Sequence, residues 1–452
     1  MSKRFRDRLR NPRVQLRLLL VLAAVWHVAI ATAVYEIGKH QLAPNLIHAN
    51  GALARDSTAS TPELVELCSI MRNEGPRAWL VWPTQLHVRL YSLPLMLFIR
   101  WKEFNILTIE PLNLLYFLGI VGLVFRIGES VFDRTSGLIA AMILSVWPSF
   151  LLHTTQVLRD PLLIVAWLLL IWSFVQVLHS ELPWKRILLL MLTTIASVVM
   201  IRIVRLPMWP LLWPAVAMVV GFLIVRFVRE RKIDRTAAAF AVASIVIMLI
   251  VPSFQPLFHN QQELRRRRTI VPEEVQKLPV EQQIATRRTG FQFRTDETGN
   301  VGPADGGSTI DADVRLRDRG DMVRYLPRAT MIGFFAPFPN MWFAAGRQVG
   351  TTGRGIAGLE MLSTYGLECL AVLGIWSGRR KLAVWLLAGV AGLGIVALGL
   401  IVNNIGALYR LRYPFWILLV ILGAGGFVRL LAKKPSGYTR AQSVNDSAAL
   451  GL

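Results

Sequence analysis

A short polar turn carrying Gln156, Arg159 and Asp160 separates two apolar stretches within residues 132–172. Each stretch is close to the length that an α-helix needs to span the hydrocarbon core of a bilayer, about 17–25 residues. A carboxylate and a guanidinium are therefore expected where a helix meets water, and ionisable groups there are functional candidates because they are costly. The alternative for Asp160, which begins an apolar stretch, is that it only caps a helix.

Carboxylates in the segment after the first apolar run are candidates for a general base. The segment contains only a few of them: Glu36, Asp56, Glu63, Glu66 and Glu74. Group transfer from a phosphate to a hydroxyl needs a base that accepts the proton of the hydroxyl and positive charge that stabilises the departing phosphate. Asp or Glu can activate an attacking oxygen in this way. A solvated loop carboxylate is the alternative for each residue.

Arginines at the ends of apolar runs are candidates for phosphate binding because planar guanidinium groups bind phosphate in a bidentate manner. The candidates are Arg159, Arg202, Arg205, the run Arg265 to Arg268, Arg328, Arg410 and Arg412. Two pairs, at 202/205 and 410/412, lie beside aromatic residues. The second pair is favoured because Tyr409, Tyr413 and Trp416 form an apolar wall for an isoprenoid tail. The alternative for these arginines is that they are solvated or contact the phosphates of membrane lipids.

His153 precedes the polar turn and is a candidate partner for a sugar hydroxyl, with a structural interfacial histidine as the alternative. The histidines form no HExxH or comparable ligand pair, and the two cysteines, Cys68 and Cys369, cannot form a Cys-based metal site. No Walker loop, GxGxxG or GxSxG element follows a strand pattern. These absences argue against ATP-driven transport and serine hydrolysis.

The composition indicates a membrane protein. Of the 452 residues, 54% are hydrophobic and 14 are Trp, and the mean hydropathy is +0.47. The net charge of +22 is spread over the N-terminus, short loops and helix ends. Positive-inside topology and contacts with anionic membrane lipids account for this charge, and no nucleic-acid partner is expected.

The hydropathy pattern predicts an all-α polytopic membrane protein with about ten transmembrane helices. The apolar runs lie near 18–35, 109–128, 136–152, 161–178, 186–201, 207–228, 236–254, 355–376, 382–402 and 414–432. The first run also has features of a cleaved signal peptide, but its length and basic flank favour an uncleaved span. With a cytoplasmic N-terminus, every inward loop carries Arg or Lys, so both termini are expected inside.

The spans divide the chain into five parts. These are a basic cytoplasmic N-terminus (1–17), a membrane module (18–254) that includes an outer loop (36–108), a large outer loop (255–354), C-terminal spans (355–432) and a disordered cytoplasmic tail (433–452). Both long loops contain an apolar, proline-broken segment that suits the membrane interface better than a span. Function is expected on this outer side.

Four features together resemble one family. They are the first span with its long outer loop, the segment GPRAWLVWPTQLHVRLYSLPLMLF (75–98), the segment VFDRTSGLIAAMILSVWPSFLLHTTQVLRDPLL (131–163) and the segment RLRYPFW (410–416). The arrangement resembles the GT-C superfamily of integral-membrane glycosyltransferases, which includes protein O-mannosyltransferases and lipid A aminoarabinose transferases. The resemblance covers most of residues 15–230 and the last spans, and residues 255–354 have no counterpart.

This resemblance implies a polyprenyl-phosphate-linked sugar as donor and a catalytic acidic residue in the first outer loop. The chain lacks the Asp-Glu pair, and the Asp shortly before a Tyr, that the family often has there. Order within the loop favours Asp56, with Glu36 as the alternative, and Asp160 is similar to the family's aspartate at the start of the fourth span. The sugar, the acceptor (lipid, glycan or protein) and a divalent metal ion near Asp56 all stay open.

The leading interpretation is an inverting glycosyltransferase at the outer face of a bacterial plasma membrane. A lipid-linked glycan flippase is a second hypothesis, in which the arginines bind pyrophosphate during passage. It predicts charged residues in the middle of several spans, where the sequence shows few, with Glu360 as the main exception. A non-catalytic accessory subunit of a cell-surface polysaccharide assembly complex is the third, favoured by the missing acidic pair.

Overall fold

The protein is predominantly α-helical in the part that the computed structural model describes, and this part contains one short β-ribbon. The described residues are 12–44, 46–53, 55–98, 104–179, 182–231, 234–251, 278–295, 301–303, 309–343 and 350–432. The predicted cytoplasmic tail and the arginine run at 265–268 lie outside these ranges. The ribbon pairs strands β1 (Phe293–Thr295) and β2 (Val301–Pro303) in antiparallel register.

The helices are numbered in chain order. The first eight are α1 (Pro12–Lys39), α2 (Arg55–Asn73), α3 (Pro76–Val81), α4 (Leu86–Phe98), α5 (Glu110–Val131), α6 (Arg134–Ser145), α7 (Pro148–Thr154) and α8 (Asp160–His179). The others are α9 (Trp184–Val204), α10 (Trp209–Glu230), α11 (Arg235–Ile250), α12 (Val280–Gln292), α13 (Arg319–Phe335), α14 (Gly350–Gly378), α15 (Leu382–Ile401) and α16 (Ile405–Ala432).

The all-α polytopic class predicted from hydropathy is confirmed, since all ten predicted runs coincide with helices. Within the described residues, eight helices are long and apolar enough to cross a membrane, namely α1, α5, α8, α9, α10, α14, α15 and α16. The predicted seventh span corresponds to α11, a shorter apolar helix of 16 residues.

The predicted third span is bent rather than straight. Its halves α6 and α7 meet at 68°. Pro148 is the first residue of α7, and because proline has no backbone N–H to donate, the hydrogen-bond ladder breaks at this point. The bend directs α7 towards the polar turn before α8.

Contacts between loops agree with the predicted alternation of the spans. Nζ of Lys381, in the loop between α14 and α15, lies 2.9 Å from the carbonyl oxygen of Val131 at the end of α5. Nη1 of Arg226, near the end of α10, donates to the carbonyl oxygen of Val177, near the end of α8, at 3.4 Å. All of these residues belong to segments predicted to face inward, so these segments share one end of the bundle.

Helix α16 lies at the centre of the bundle. Its residues from Leu411 to Gly426 are all buried, and it packs most extensively against α14. The two backbones approach so closely that a methyl group at Gly426 would lie 2.0 Å from the carbonyl oxygen of Leu370. Small residues at helix interfaces allow this close packing inside a membrane, where lipid is as apolar as the side chains.

Both long outer loops are folded onto the bundle. In the first loop, α4 packs on α2 and buries Val88, Tyr91 and Leu95. In the second loop, α13 packs on α15, and the buried Arg288 of α12 donates through Nη1 to the carbonyl oxygen of Leu400 at 3.0 Å. The contact of Arg288 with Leu400 holds the second loop at the end of the bundle where α15 finishes and α16 begins.

Candidate active site

The polar turn before α8 is fastened to the first outer loop. The Gln156 side chain is 1% exposed, and its Oε1 accepts a hydrogen bond from the backbone N–H of Leu53 at 2.8 Å. Its Nε2 donates to the carbonyl oxygen of Gly51 at 3.4 Å. One residue further, the N–H of Val157 donates to Oγ of Ser57 in α2 at 3.3 Å. The turn therefore contacts the start of α2 directly.

Asp160 forms an ion pair with Arg205, which follows the end of α9. Oδ1 of Asp160 lies 2.5 Å from Nη1 of Arg205, and the two side chains are 8% and 12% exposed. Asp160 is the first residue of α8, one position after the N-cap, where a carboxylate also interacts favourably with the helix dipole. The buried ion pair with Arg205 goes beyond what this position at a helix start requires.

The two candidate bases lie in different surroundings. Asp56 is the second residue of α2 and precedes Ser57, which contacts the turn, but the Asp56 side chain lies outside the described part. Glu36, near the end of α1, is 46% exposed and faces Lys39 at 3.8 Å and His40 at 3.3 Å. The segment that carries Asp56 thus reaches the turn, whereas Glu36 has its ion pairs within its own segment.

Helix α2 begins at Arg55 and contains Pro62 in its second turn. The hydroxyl of Thr61 donates to the carbonyl oxygen of Ser57 at 2.9 Å. Asp56 therefore lies in the first turn of a helix rather than in an irregular loop.

A chain of hydroxyl groups links the turn region to a carboxyl group that the sequence singled out only as an exception. The hydroxyl of Tyr413 in α16 donates to Oγ of Ser149 in α7 at 2.6 Å, and the hydroxyl of Ser149 donates to Glu360 of α14. Nδ1 of His153 lies 3.4 Å from the Tyr413 hydroxyl. His153 is also within electrostatic reach of Asp160.

Ser149 and the position of Glu360 beside it could not be predicted, because 211 residues separate the two along the chain. The only indication in the sequence was that Glu360 is a carboxylate within an apolar run.

The arginines of the two predicted pairs, 202/205 and 410/412, have different surroundings. Arg205 binds Asp160, while the guanidinium of Arg202 lies over the ring of Trp209 at 5.3 Å. Arg410 is partly exposed and lies within electrostatic reach of His153. Arg159 is likewise partly exposed, in the turn itself.

Arg412 is buried and holds the end of α13. It is 4% exposed, and its Nη1 lies 3.2 Å from each of the carbonyl oxygens of Gly333, Phe334 and Ala336. These bonds satisfy acceptors at a helix C-terminus, which have no partner within the helix. The phosphate-binding role predicted for Arg412 stays a prediction, and its contacts support a structural role.

A crevice lies between the aromatic residues of this region. It is lined by Trp147, Thr364, Tyr409, Arg412, Tyr413 and Trp416, which pack closely enough to leave no space that a water molecule could enter. The rings of Tyr409, Tyr413 and Trp416 pack against one another, and their role as a wall for an isoprenoid tail stays a prediction. Among the described residues, no three His, Cys, Asp or Glu side chains are grouped to hold a metal ion.

The residues from α4 to α11 provide the comparison with known proteins. Residues 90–255 match the family of dolichyl-phosphate-mannose-protein mannosyltransferases. The match covers less than half of the chain and is to a family of GT-C type. It confirms the resemblance seen in the sequence, and it supports glycosyltransferase activity. No curated protein matches the sequence.

The matched GT-C segment contains part of the site. The polar turn, Asp160 and the 202/205 arginine pair lie inside residues 90–255, whereas Asp56, Glu36 and the C-terminal spans lie outside. The site therefore combines a recognisable GT-C segment with side chains from regions that the match does not reach.

Proposed function

We propose that the chain is an inverting glycosyltransferase that moves a sugar from a polyprenyl-phosphate carrier to an acceptor hydroxyl at the outer face of a bacterial plasma membrane. The docking of the first outer loop on the turn before α8 is the observation that carries this proposal. Through the bonds of Gln156 to Leu53 and of Val157 to Ser57, the start of α2 meets the Asp160 turn. Two outer loops thus contribute acidic residues to one end of the bundle.

In the proposed reaction, Asp56 acts as the general base. Its carboxylate accepts the proton of the acceptor hydroxyl while the hydroxyl oxygen forms a bond to the anomeric carbon of the sugar. The bond from this carbon to the phosphate oxygen breaks on the opposite face, and the phosphate leaves with the electron pair. Attack from the opposite face inverts the configuration at the anomeric carbon.

The arginines are proposed to stabilise the negative charge of the departing phosphate. Arg159, Arg205 and Arg410 lie around the turn and have charge that suits phosphate oxygens. Asp160 orients Arg205 through their 2.5 Å contact. Arg202 is proposed as a further phosphate contact beside Trp209.

The outer-face orientation rests on the distribution of basic residues. The contacts of Lys381 and Arg226 collect the basic loops at one end of the bundle, and the positive-inside rule assigns that end to the cytoplasm. The site then faces the periplasm or exterior, both termini are cytoplasmic, and the five-part division of the chain follows. The acceptor is a lipid, a glycan or a protein, and membrane lipids surround the spans.

The test is sugar transfer by the purified protein supplied with polyprenyl-phosphate sugars and membrane acceptors. Asp56→Asn is expected to lower kcat by about 10²–10⁴-fold, the range for loss of a general base. Glu66→Gln is the matched control, because Glu66 is an exposed carboxylate on the same helix. Unchanged turnover in Asp56→Asn would refute the assignment, and loss of turnover in Glu36→Gln instead would transfer the role to Glu36.

The same preparation separates the competing functions. An accessory subunit would bind the carrier lipid without turnover, and a flippase would move the lipid across a vesicle membrane without transferring its sugar. Activity measured before and after treatment with EDTA reports whether a divalent ion takes part.

A further inference from the structure

A buried imidazole and a buried carboxyl group form a pair between the first two spans. His27 of α1 is fully buried, and Glu110, the first residue of α5, is nearly so. Nδ1 of His27 lies 2.7 Å from Oε1 of Glu110, and the imidazole ring stacks on Phe117 with centroids 4.4 Å apart. Ionisable groups inside a membrane are costly, so this pair is a functional candidate.

The other ring nitrogen of His27 contacts the residue at which the polar turn begins. Nε2 lies 3.0 Å from Oγ1 of Thr154, which is buried and is the last residue of α7. Gln156 and Asp160 follow Thr154 in the turn. His27 and Glu110 therefore connect α1 and α5 to the start of the segment that carries both of these predicted site residues.

The directions of the hydrogen bonds determine where the protons of this group lie. The Thr154 hydroxyl donates its one proton to the backbone carbonyl oxygens of Phe150 and Leu151, each at 3.0 Å, as threonine in a helix commonly does. Oγ1 of Thr154 therefore accepts from His27, so Nε2 carries a proton. A second proton lies between Nδ1 and the Glu110 carboxyl, because two lone pairs would repel at 2.7 Å. The group then has no net charge, which suits its apolar surroundings.

The same end of α5 supports the turn through a second residue. Asn113 is fully buried and lies one helical turn after Glu110, so the two side chains share a face of α5. The Tyr91 hydroxyl of α4 donates to Oδ1 of Asn113 at 2.8 Å. It also lies 3.3 and 3.2 Å from the carbonyl oxygens of Gln156 and Leu158. Glu110 and Asn113 therefore each support the turn through an intermediate side chain.

We infer that His27 and Glu110 are positioning residues, which act through Thr154 to hold the turn that presents Asp160 at the proposed site. The inference rests on the proposed function and adds two residues that do not touch the substrate. Asp160 holds Arg205, so a displaced turn would move this guanidinium away from the phosphate charge that it is proposed to stabilise. That charge develops in the transition state, so the expected loss is in kcat rather than in KM.

The first test measures the turn itself and needs no turnover. Amide hydrogen exchange in a peptide that covers residues 153–160 of the purified protein is expected to become about tenfold faster in Thr154→Val, because the buried Nε2–H loses its acceptor. Thr154→Ser keeps the hydroxyl and should exchange as the wild type does. Thr193→Val is the matched control, because it removes a hydroxyl that donates to a carbonyl oxygen of its own helix, that of Leu189 at 2.9 Å. Equal exchange in Thr154→Val and Thr193→Val would overturn the inference.

A double variant separates positioning from general packing. His27→Phe keeps a ring against Phe117 but removes both nitrogens, and it should accelerate exchange of the same peptide. If His27 acts through Thr154, the combination with Thr154→Val should exchange no faster than the faster single variant, whereas independent packing effects would add. Additive effects would argue for packing alone and against the inference.

Nitrogen-15 NMR of the wild type keeps the inference testable even if these variants do not fold. The His27 signals should show a protonated Nε2, and a bare Nε2 would contradict the assigned hydrogen bond to Thr154. Glu110→Leu removes the partner of Nδ1, so the Nδ1 signal should shift. An unchanged Nδ1 signal would remove Glu110 from the group.

The last test connects the turn to sugar transfer from a polyprenyl-phosphate sugar. Thr154→Val and His27→Phe should each lower kcat at least about tenfold and change KM for the donor less than about threefold, while Thr154→Ser should retain normal kcat. Faster exchange with normal kcat would overturn the inference and keep the transferase. Faster exchange in the variants of a protein whose wild type transfers no sugar would reject the transferase and keep the support of the turn.

Discussion

Oδ1 of Asp160 and Nη1 of Arg205 lie 2.5 Å apart where α8 begins and α9 has just ended. Both side chains are largely buried, so each charge depends on the other. A buried pair of this kind is weak evidence for net stability, but removal of one partner leaves an uncompensated charge.

A double-mutant cycle on this pair should show strong coupling. We expect Arg205→Gln to lower the free energy of unfolding by on the order of 3 kcal/mol, because it leaves Asp160 unpaired in a buried position. Asp160→Asn combined with Arg205→Gln should cost less than the sum of the single changes. Thermal and denaturant unfolding in detergent would measure these values, and simple additivity would contradict the coupling.

Gln156 should control the position of the first outer loop. Gln156→Ala removes the acceptor of the Leu53 N–H and the donor to the Gly51 carbonyl, at a cost of about 1–3 kcal/mol. We expect faster proteolysis within residues 46–53 and turnover reduced at least about tenfold through displacement of α2.

Gln176→Ala is the control for this change, because the Gln176 side chain bonds to Ser130 and Arg186 at the opposite end of the bundle. It should leave turnover intact. Normal turnover in Gln156→Ala would show that the loop does not need this anchor.

Substitution of Arg412 should mainly affect stability, whereas substitution of Arg410 should mainly affect activity. Arg412→Gln removes the Nη1 donor shared by three carbonyl oxygens, with an expected cost on the order of 3 kcal/mol. Arg410→Gln, at a partly exposed position, should leave the unfolding midpoint nearly unchanged and lower turnover through weaker phosphate binding. Equal unfolding midpoints for the two variants would contradict the structural role of Arg412.

The ion pair between Arg328 and Asp311, both in the second outer loop, should weaken in acid. The hydrogen bonds from Arg328 to Asp311, at 2.9 and 3.0 Å, hold the pKa of the Asp311 carboxyl below its usual value, and the Tyr325 hydroxyl adds to this effect. A lowered folded-state pKa means that the stabilisation is present above the unfolded value of about 3.9 and is lost as the pH falls through the folded value.

Limited proteolysis of the loop between pH 6 and pH 3 would detect this loss. Arg328→Gln should make the loop sensitive at higher pH, whereas Arg324→Gln, at an exposed position on the same helix, should behave as the wild type. Identical profiles for wild type and Arg328→Gln would show that this ion pair does not stabilise the loop.

Because α14 packs closely on α16, replacement of Gly426 by alanine should destabilise the protein, whereas the same replacement at Gly392 should not. Gly426→Ala would place a methyl group 2.0 Å from the Leu370 carbonyl oxygen, whereas a methyl group at Gly392 would meet no atom within 4 Å. We expect Gly426→Ala to lose about 1–3 kcal/mol from overpacking and Gly392→Ala to change little. Thermal unfolding of both variants is the measurement, and equal midpoints would argue against the close approach.

The sequence predicted the spans well because hydropathy and length are local properties. The runs at 161–178 and 382–402 differ from α8 and α15 by at most one residue at each end. The bend at Pro148 was missed because an apolar run on both sides of a proline looks continuous to a hydropathy count.

The site was less predictable because its contacts are not local. The turn at 156–160 and the arginine pairs were identified from residue type and position at helix ends. Nothing in the sequence indicates that Gln156 reaches Leu53, that Ser149 meets Glu360, or that Arg412 faces the end of α13. Such contacts depend on how helices far apart in the chain pack together.

The enclosure of α16 has a consequence for how the protein assembles. Helices inserted earlier, α5, α6, α8, α14 and α15, all contact α16, so their facing surfaces have no protein partner until residues 405–432 enter the membrane. The contacts of Tyr413 with Ser149 and of Trp416 with Trp147 therefore form only when α16 arrives.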